Sequence, residues 1–540
     1  MFTFIQKISV RIAICAGFVS LISTAPAAVR LPAVLGSHMV LQQGIKVPIW
    51  GTADPGEIVT VKFRDQQKTA MTDAQGKWMV KLDPLKPGNP APLTISGSKS
   101  ITLDDVLVGE VWVGSGQSNM GTLVSMYAEH DLPLKEAMNT SLPQLRLFRV
   151  MQPGGWQEVT PDNVNKYSAE LFYFGMLLQK ELNVPVGVME GSQGGTPSLY
   201  FISQQAFNAD PTIQALLVKW DAEHAPIAVQ QKNYEDALAK WKVNITAAIA
   251  ATFPSSPNPT APAPDLSSTK SIDKALLAKY PQPQPPVLAV ETKTGDVFER
   301  LVRPMIPYGI RGVLWDQGES GTGLRSVTQP VLMSALIRSW REDWGQGDFP
   351  WIYVQKPSGG GSALNPDDPV NAGALPFAPL PKDPPASFAS THVEGYSIMK
   401  FSNTFLAITS DLATGIHPIN KSGYATRESK VAFGAVYEKS IEYYGPIFQS
   451  FKIEGAQIRI SYTHIGKGLT VPPDQKLQGF AIAGGDKKWH WANAAIDGET
   501  VILSSPDVPN PIAARYWPFA WANLFNIDGL PASGFRTDSW

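Results

Sequence analysis

The sequence predicts an α/β fold: a mostly parallel sheet core with helices on both faces, flanked by N-terminal and C-terminal β domains. Three observations carry this. Between residues 107 and 440, short apolar runs (106–113, 145–150, 186–189, 312–315, 351–354 and 405–408) alternate with amphipathic stretches, notably 169–182 and 331–344. That alternation is the pattern of strand–helix–strand units around a parallel sheet. On either side of this region, short runs at regular spacing are punctuated by turn residues such as Pro55-Gly56 and Pro87-Gly88, the signature of antiparallel β structure. Finally, 540 residues exceed what one ordinary core accommodates, so two or three domains are expected.

Taken in order, residues 1–27 carry the features of an export signal. Lys7 and Arg11 supply positive charge, 12–22 an apolar stretch, and Ala25-Pro26-Ala27 a small-residue cleavage site. The apolar stretch is well short of the ~20 residues a membrane span needs. Export to the periplasm or the exterior is therefore expected, with no span after cleavage. Cys15, the only cysteine, lies inside this signal, so the mature chain would hold no disulfide and no thiol nucleophile. Residues 28–106 are expected to form a β-sandwich-like domain. Residues 107–440 form the core, interrupted by a helical, then Pro-rich insertion at about 204–295. A long loop at 357–390 is either a lid or a solvated excursion. Residues 441–540 return to β character. A net charge of −2 lacks the basic footprint of a nucleic-acid partner.

Ligands of such sheets bind at the carboxyl ends of the strands, which here brings together Ser118, 191–195, 317–319 and Asp411. Ser118 follows a strand-like run within Gly116-Gln117-Ser118-Asn119-Met120. By itself it could equally be a turn serine capping a helix, and no Gly-x-Ser-x-Gly elbow occurs. A base is available in His417, since imidazole takes and returns protons near neutral pH. Asp411, Asp316 and Glu319 are the candidates to orient it, and a Ser–His dyad held by a backbone carbonyl is the alternative. Gly191-Ser192-Gln193-Gly194-Gly195-Thr196 suits an oxyanion site because glycines let backbone N–H groups approach a substrate. Gln317 offers an amide donor, and Gln117, Asn119 and Glu319 complete the candidate oxyanion and substrate-binding set. No metal-ligand cluster such as His-Glu-x-x-His is visible, so no metal or cofactor is expected.

Further blocks make the chain recognisable: Met39-Val40-Leu41-Gln42-Gln43, Gly109-Glu110-Val111-Trp112, Gly194-Gly195-Thr196, Gln317-Gly318-Glu319-Ser320, Ile416-His417-Pro418 with Asn420-Lys421, and Phe535-Arg536-Thr537-Asp538. With the serine motif, they make the chain resemble the sialate O-acetylesterase family among the SGNH-type (GDSL-like) hydrolases. The resemblance implies an SGNH-hydrolase-like core and a serine esterase acting on O-acetylated carbohydrate. It gives Ser118 as nucleophile, His417 as base, and oxyanion donors from the Ser118 backbone, Gly194-Gly195 and Gln317. Family members usually read Trp-Tyr-Gln-Gly-Glu-Ser-Asn, whereas this chain has Asp316 and Gly321 in place of the tyrosine and the asparagine. Gly415 stands where relatives often carry an acid or amide before the histidine, and Pro197-Ser198-Leu199-Tyr200 replaces the usual acid-and-tryptophan pattern. An acetylxylan or other hemicellulose esterase, and a non-catalytic carbohydrate-binding protein on the same fold, are the alternatives.

Overall fold

The computed structural model describes residues 29–252, 274–284, 291–355, 361–371, 373–385, 398–412, 415–517 and 519–540. The expected export signal and Cys15 lie outside these residues, as do much of the Pro-rich linker and parts of the 357–390 loop.

The central sheet runs, edge to edge, Thr404–Ala407, Trp351–Val354, Gly312–Asp316, Ser100–Gly116, Val186–Ser192, Leu142–Arg149 and Gln157–Val159. The first six are parallel and the last pairs antiparallel. Three of these strands are buried along their whole length or nearly so, and Ser100–Gly116 is continuously buried from residue 106 onward, which is why they read in sequence as apolar runs. Of these seven strands, the first in chain order lies in the middle, flanked by the fourth and fifth. The chain therefore reverses its winding direction beside Ser100–Gly116, where a crevice opens at the strand ends.

Register and the two-residue side-chain period place helices on both faces. Gly312 pairs with Trp112 and Trp315 with Ser115, so Trp112, Gly114 and Asp316 share one face and Trp315 lies on the other. Helix Ala169–Leu182 covers the first: Phe174 meets Trp112 edge-on at 5.3 Å and Leu171 fills the space that a Gly114 side chain would need. Ser168 Oγ accepts from Leu171 N–H to start this helix, and left-handed Asn183 ends it. Helix Gln329–Trp344 covers the second face, where Trp340 packs against Trp315 and Trp351. Lys421–Val431 lies against Ala169–Leu182.

The expected boundary at 106 falls inside one strand. Ser100–Gly116 pairs antiparallel with Ala91–Ser96 and then, without a break, parallel with its core neighbours. Val59, Val61 and Phe63 of the N-terminal β region belong to the same buried cluster as Val111 and Val113, so this region is an extension of the central core. The C-terminal region has its own core. Ile458, Ile460 and Leu503 from one four-stranded sheet meet Phe480, Ile482 and Tyr516 from another. The insertion carries helices Pro211–Glu223, Ile227–Thr252 and Lys274–Lys279, the last two joined by Trp241, whose indole donates to the Tyr280 carbonyl at 2.9 Å. The described part of the 357–390 loop is tied to the C-terminal region: Ala378 N–H donates to Ala520, Gln478 to the Ala378 carbonyl and Trp491 to the Pro381 carbonyl.

Candidate active site

The site forms where strand Ser100–Gly116 turns into the one-turn helix Ser118–Gly121. Gly116 has φ +131°, and a β-carbon there would stand 2.1 Å from the Asp316 carbonyl oxygen. Only glycine allows the two strand ends to close this tightly. Gln117 N–H then donates to that same carbonyl at 2.9 Å, pinning the turn. His417 Nε2 lies 2.7 Å from Ser118 Oγ. Ser118 is half-buried and His417 exposed, so the pair is reachable from solvent.

Gly194 passes beside the serine: a β-carbon on it would lie 3.3 Å from Ser118 Cβ and 3.9 Å from Ser118 N. Gly195 follows at φ +70°, also exposed. Among the described residues, the N–H groups of Ser118, Gly194 and Gly195 donate to no protein acceptor. Free N–H donors next to an alcohol oxygen suit a developing oxyanion.

Glu319 accepts from Gln117 Nε2 and, at 3.1 Å, from Asn119 Nδ2. The Asn119 amide also donates to the Ile416 carbonyl at 3.0 Å, and its oxygen accepts from Lys421 Nζ at 2.8 Å. Three further carboxyls lie buried close by: Asp316, Glu170 and Glu428. Burial pushes each of them upward and Lys421 pulls back; like charge adds to the rise of Asp316 and Glu428. The carboxyl oxygens of Glu170 and Glu428, and Asp316 Oδ2, have no hydrogen-bond partner among the described residues. Burial and mutual repulsion therefore disfavour negative charge on this trio.

A second buried acid, Glu190, ends strand Val186–Ser192. Burial raises it to about 7, against Arg149 at 3.1 Å and the Ser192 hydroxyl at 2.7 Å. It lines a cleft of about 410 Å³ with Arg149, Ser192, Gln193 and Arg300. A larger groove, about 750 Å³, is lined by Trp50, Trp78, Ile306 and Pro307; it lies toward the amino ends of the core strands, away from the serine.

The structure thus brings Ser118, His417, Gln117, Asn119, Gly194, Gly195 and Glu319 into one place. It corrects two expectations. Asp411 does not orient His417: both its oxygens take the Arg427 guanidinium, at 2.9 and 2.7 Å, in a buried ion pair. Gln317 is not an oxyanion donor, because its amide hydrogens go to the Thr196 and Gly321 carbonyls while its oxygen accepts from Ser198 and Gln329. Asp316 and Glu319, the other acids proposed for His417, are engaged as described above. Lys421 and Glu190 escaped the sequence reading. Lys421 was within reach, since it closes the Ile416-His417-Pro418…Asn420-Lys421 block. Glu190 carries no local signal that separates it from a surface glutamate.

In fold, the chain is similar to a carbohydrate acetylesterase from Xanthomonas citri of known structure: TM-score 0.69, 24% identity, 95% of this chain and 100% of that one covered. No protein-family model matches the chain. In sequence, it is similar to the sialate O-acetylesterase of Mus musculus, 24% identical over 542 residues that cover 91% of this chain and 90% of that one. The Rattus norvegicus sialate O-acetylesterase is 26% identical, with 77% and 76% covered. With the serine–histidine contact at the strand ends, these similarities define the class: the chain is a carboxylic ester hydrolase. The particular proteins it is similar to in sequence are sialate O-acetylesterases, that of Homo sapiens among them at 24% identity over 87% of this chain and 82% of that one.

Proposed function

We propose that the chain is a serine esterase of the SGNH type that removes O-acetyl groups from carbohydrate, in the manner of a sialate O-acetylesterase. The observation that carries this is the 2.7 Å contact between His417 Nε2 and Ser118 Oγ, beside the free N–H groups of Gly194 and Gly195. An alcohol becomes nucleophilic when a base takes its proton as it attacks. In this reading Ser118 Oγ adds to the acetyl carbonyl while its proton passes to His417 Nε2. The oxyanion forms against the N–H groups of Ser118, Gly194 and Gly195. The carbonyl re-forms, the sugar oxygen leaves with the proton held by His417, and Ser118 is left acetylated. Water, deprotonated by His417, repeats the sequence and releases acetate. The similarity to sialate O-acetylesterases supports an O-acetylated sugar as substrate, and the features of residues 1–27 support export of the protein.

The test is hydrolysis of p-nitrophenyl acetate by purified protein. Ser118→Ala and His417→Ala should each lose at least about 10³-fold in kcat, with the fold intact by circular dichroism. Equal rates for wild type and Ser118→Ala would refute the reading. Glycan binding with no turnover in either would favour a non-catalytic carbohydrate-binding protein. Acetate release from O-acetylated sialic acid against acetylated xylan then separates the two substrate classes.

A further inference from the structure

Asn119 is fully buried and immediately follows Ser118. Every hydrogen-bonding group of its amide is in use. Nδ2 donates to the carbonyl of Ile416, the residue before His417, and to Glu319; Oδ1 accepts from Lys421. The Asn119 side chain therefore ties the helix that carries the serine to the loop that carries the histidine. Among the described residues of that loop, Gly415, Ile416 and His417 are all exposed, and Gly415 sits at φ +96° with no described atom within 4 Å of the place of a β-carbon.

An asparagine amide can be turned either way round, and its partners decide which. An ammonium group only donates, so the atom that faces Lys421 must be the oxygen. This leaves the NH₂ facing the Ile416 carbonyl and Glu319, both of which only accept. If the Lys421 charge were absent, the donor that holds the amide oxygen would be lost and only the two acceptors would keep the amide in place. Lys421 is itself held in place: it is fully buried at the start of helix Lys421–Val431, and its ammonium lies over the Tyr127 and Tyr424 rings at 5.5 and 5.3 Å. It is also the cation whose field acts on the buried Glu170, Asp316 and Glu428.

We propose that Lys421, acting through Asn119, is a positioning residue for His417: it sets the amide that grips the Ile416 carbonyl, and so fixes where the imidazole stands over Ser118. This rests on the reading of Ser118 and His417 as nucleophile and base. A bond at 3.0 Å on the adjacent peptide is close enough that its loss would let the ring drift by a fraction of an ångström or more, and misplacement on the 1 Å scale can cost about 10²-fold in rate.

The test is a double-mutant cycle on the full-length protein with p-nitrophenyl acetate, at an enzyme concentration high enough to follow the slow variants. With His417 present, Asn119→Ala and Lys421→Met should each lower kcat by about 10- to 100-fold with KM changed less than threefold. In the His417→Ala background, Asn119→Ala should cost less than twofold, because the group it positions is gone. An equal loss in both backgrounds would overturn the proposal, since Asn119 would then act on the serine or on the fold alone. So would a change within twofold when His417 is present. If Lys421→Met fails to fold, the Asn119→Ala cycle decides the matter, because it leaves Lys421 with its carboxyl neighbours. A His417→Ala variant as fast as wild type would remove the base and defeat the functional reading as well. A slow His417→Ala variant with a silent Asn119→Ala defeats only the positioning role.

Discussion

Replacing Asp411 by asparagine distinguishes a structural acid from a catalytic one. The carboxylate receives two guanidinium hydrogen bonds, at 2.9 and 2.7 Å, and only 2% of its side chain and 6% of that of Arg427 are exposed. An amide of the same shape removes the negative charge but leaves the guanidinium buried, with the Ile408 carbonyl at 3.1 Å as its other acceptor. Removing one partner of such a pair costs about 3–5 kcal/mol, a large share of the ~5–15 kcal/mol that holds a domain together. The same change at an acid that orients a catalytic histidine would lower kcat by about 10⁴-fold, ~5.4 kcal/mol in the barrier. The two roles therefore predict losses in different measurements. Urea unfolding of Asp411→Asn should show a stability loss of about 3–5 kcal/mol. The fraction that remains folded should hydrolyse p-nitrophenyl acetate within about tenfold of wild type, ~1.4 kcal/mol. Arg427→Met should be destabilised to a similar degree, and Asp411→Leu with Arg427→Met should recover part of the loss. A stable Asp411→Asn protein with kcat reduced by more than about 10³-fold would refute the reasoning and return Asp411 to His417.

Two other outcomes follow from the geometry. Gly116→Ala should destabilise the protein by more than about 3 kcal/mol and abolish esterase activity, since its methyl meets the Asp316 carbonyl at 2.1 Å on a backbone held at φ +131°; a thermal midpoint within a few degrees of wild type would contradict this. Glu190, raised by burial from 4.5 to about 7, binds its proton more tightly in the folded than in the unfolded chain. Its carboxyl therefore destabilises progressively as pH rises from about 4.5 to about 7 and levels off above, by up to ~3 kcal/mol in all. Denaturant midpoints measured across that window should fall with pH, and Glu190→Gln should flatten the slope; an unchanged slope would count against it.

Ser118 and His417 could be found in the sequence because each lies in a short block of distinctive neighbours, and the fold needs only to bring the blocks together. Gly194 and Gly195 were legible for the same reason. The core strands were legible because three of them are buried along all or nearly all of their length and Ser100–Gly116 is buried from residue 106 onward, which makes their apolar runs continuous. The end of the N-terminal β region was not: strand Ser100–Gly116 changes partners midway, and a change of partner leaves no mark on a strand's own residues.

By itself, the sequence determined the strand–helix alternation, the nucleophile–base candidates and the family likeness, because these depend on residue type and on spacing along the chain. Only the tertiary structure decided what each polar side chain bonds to. Asp411 meets Arg427, Gln317 turns inward to the Thr196 and Gly321 carbonyls, and Lys421, at what reads as an ordinary helix start, ends up buried behind the serine. A buried charge or amide bonds to whatever donor or acceptor the packing brings within about 3 Å, and that neighbour can come from anywhere in the chain.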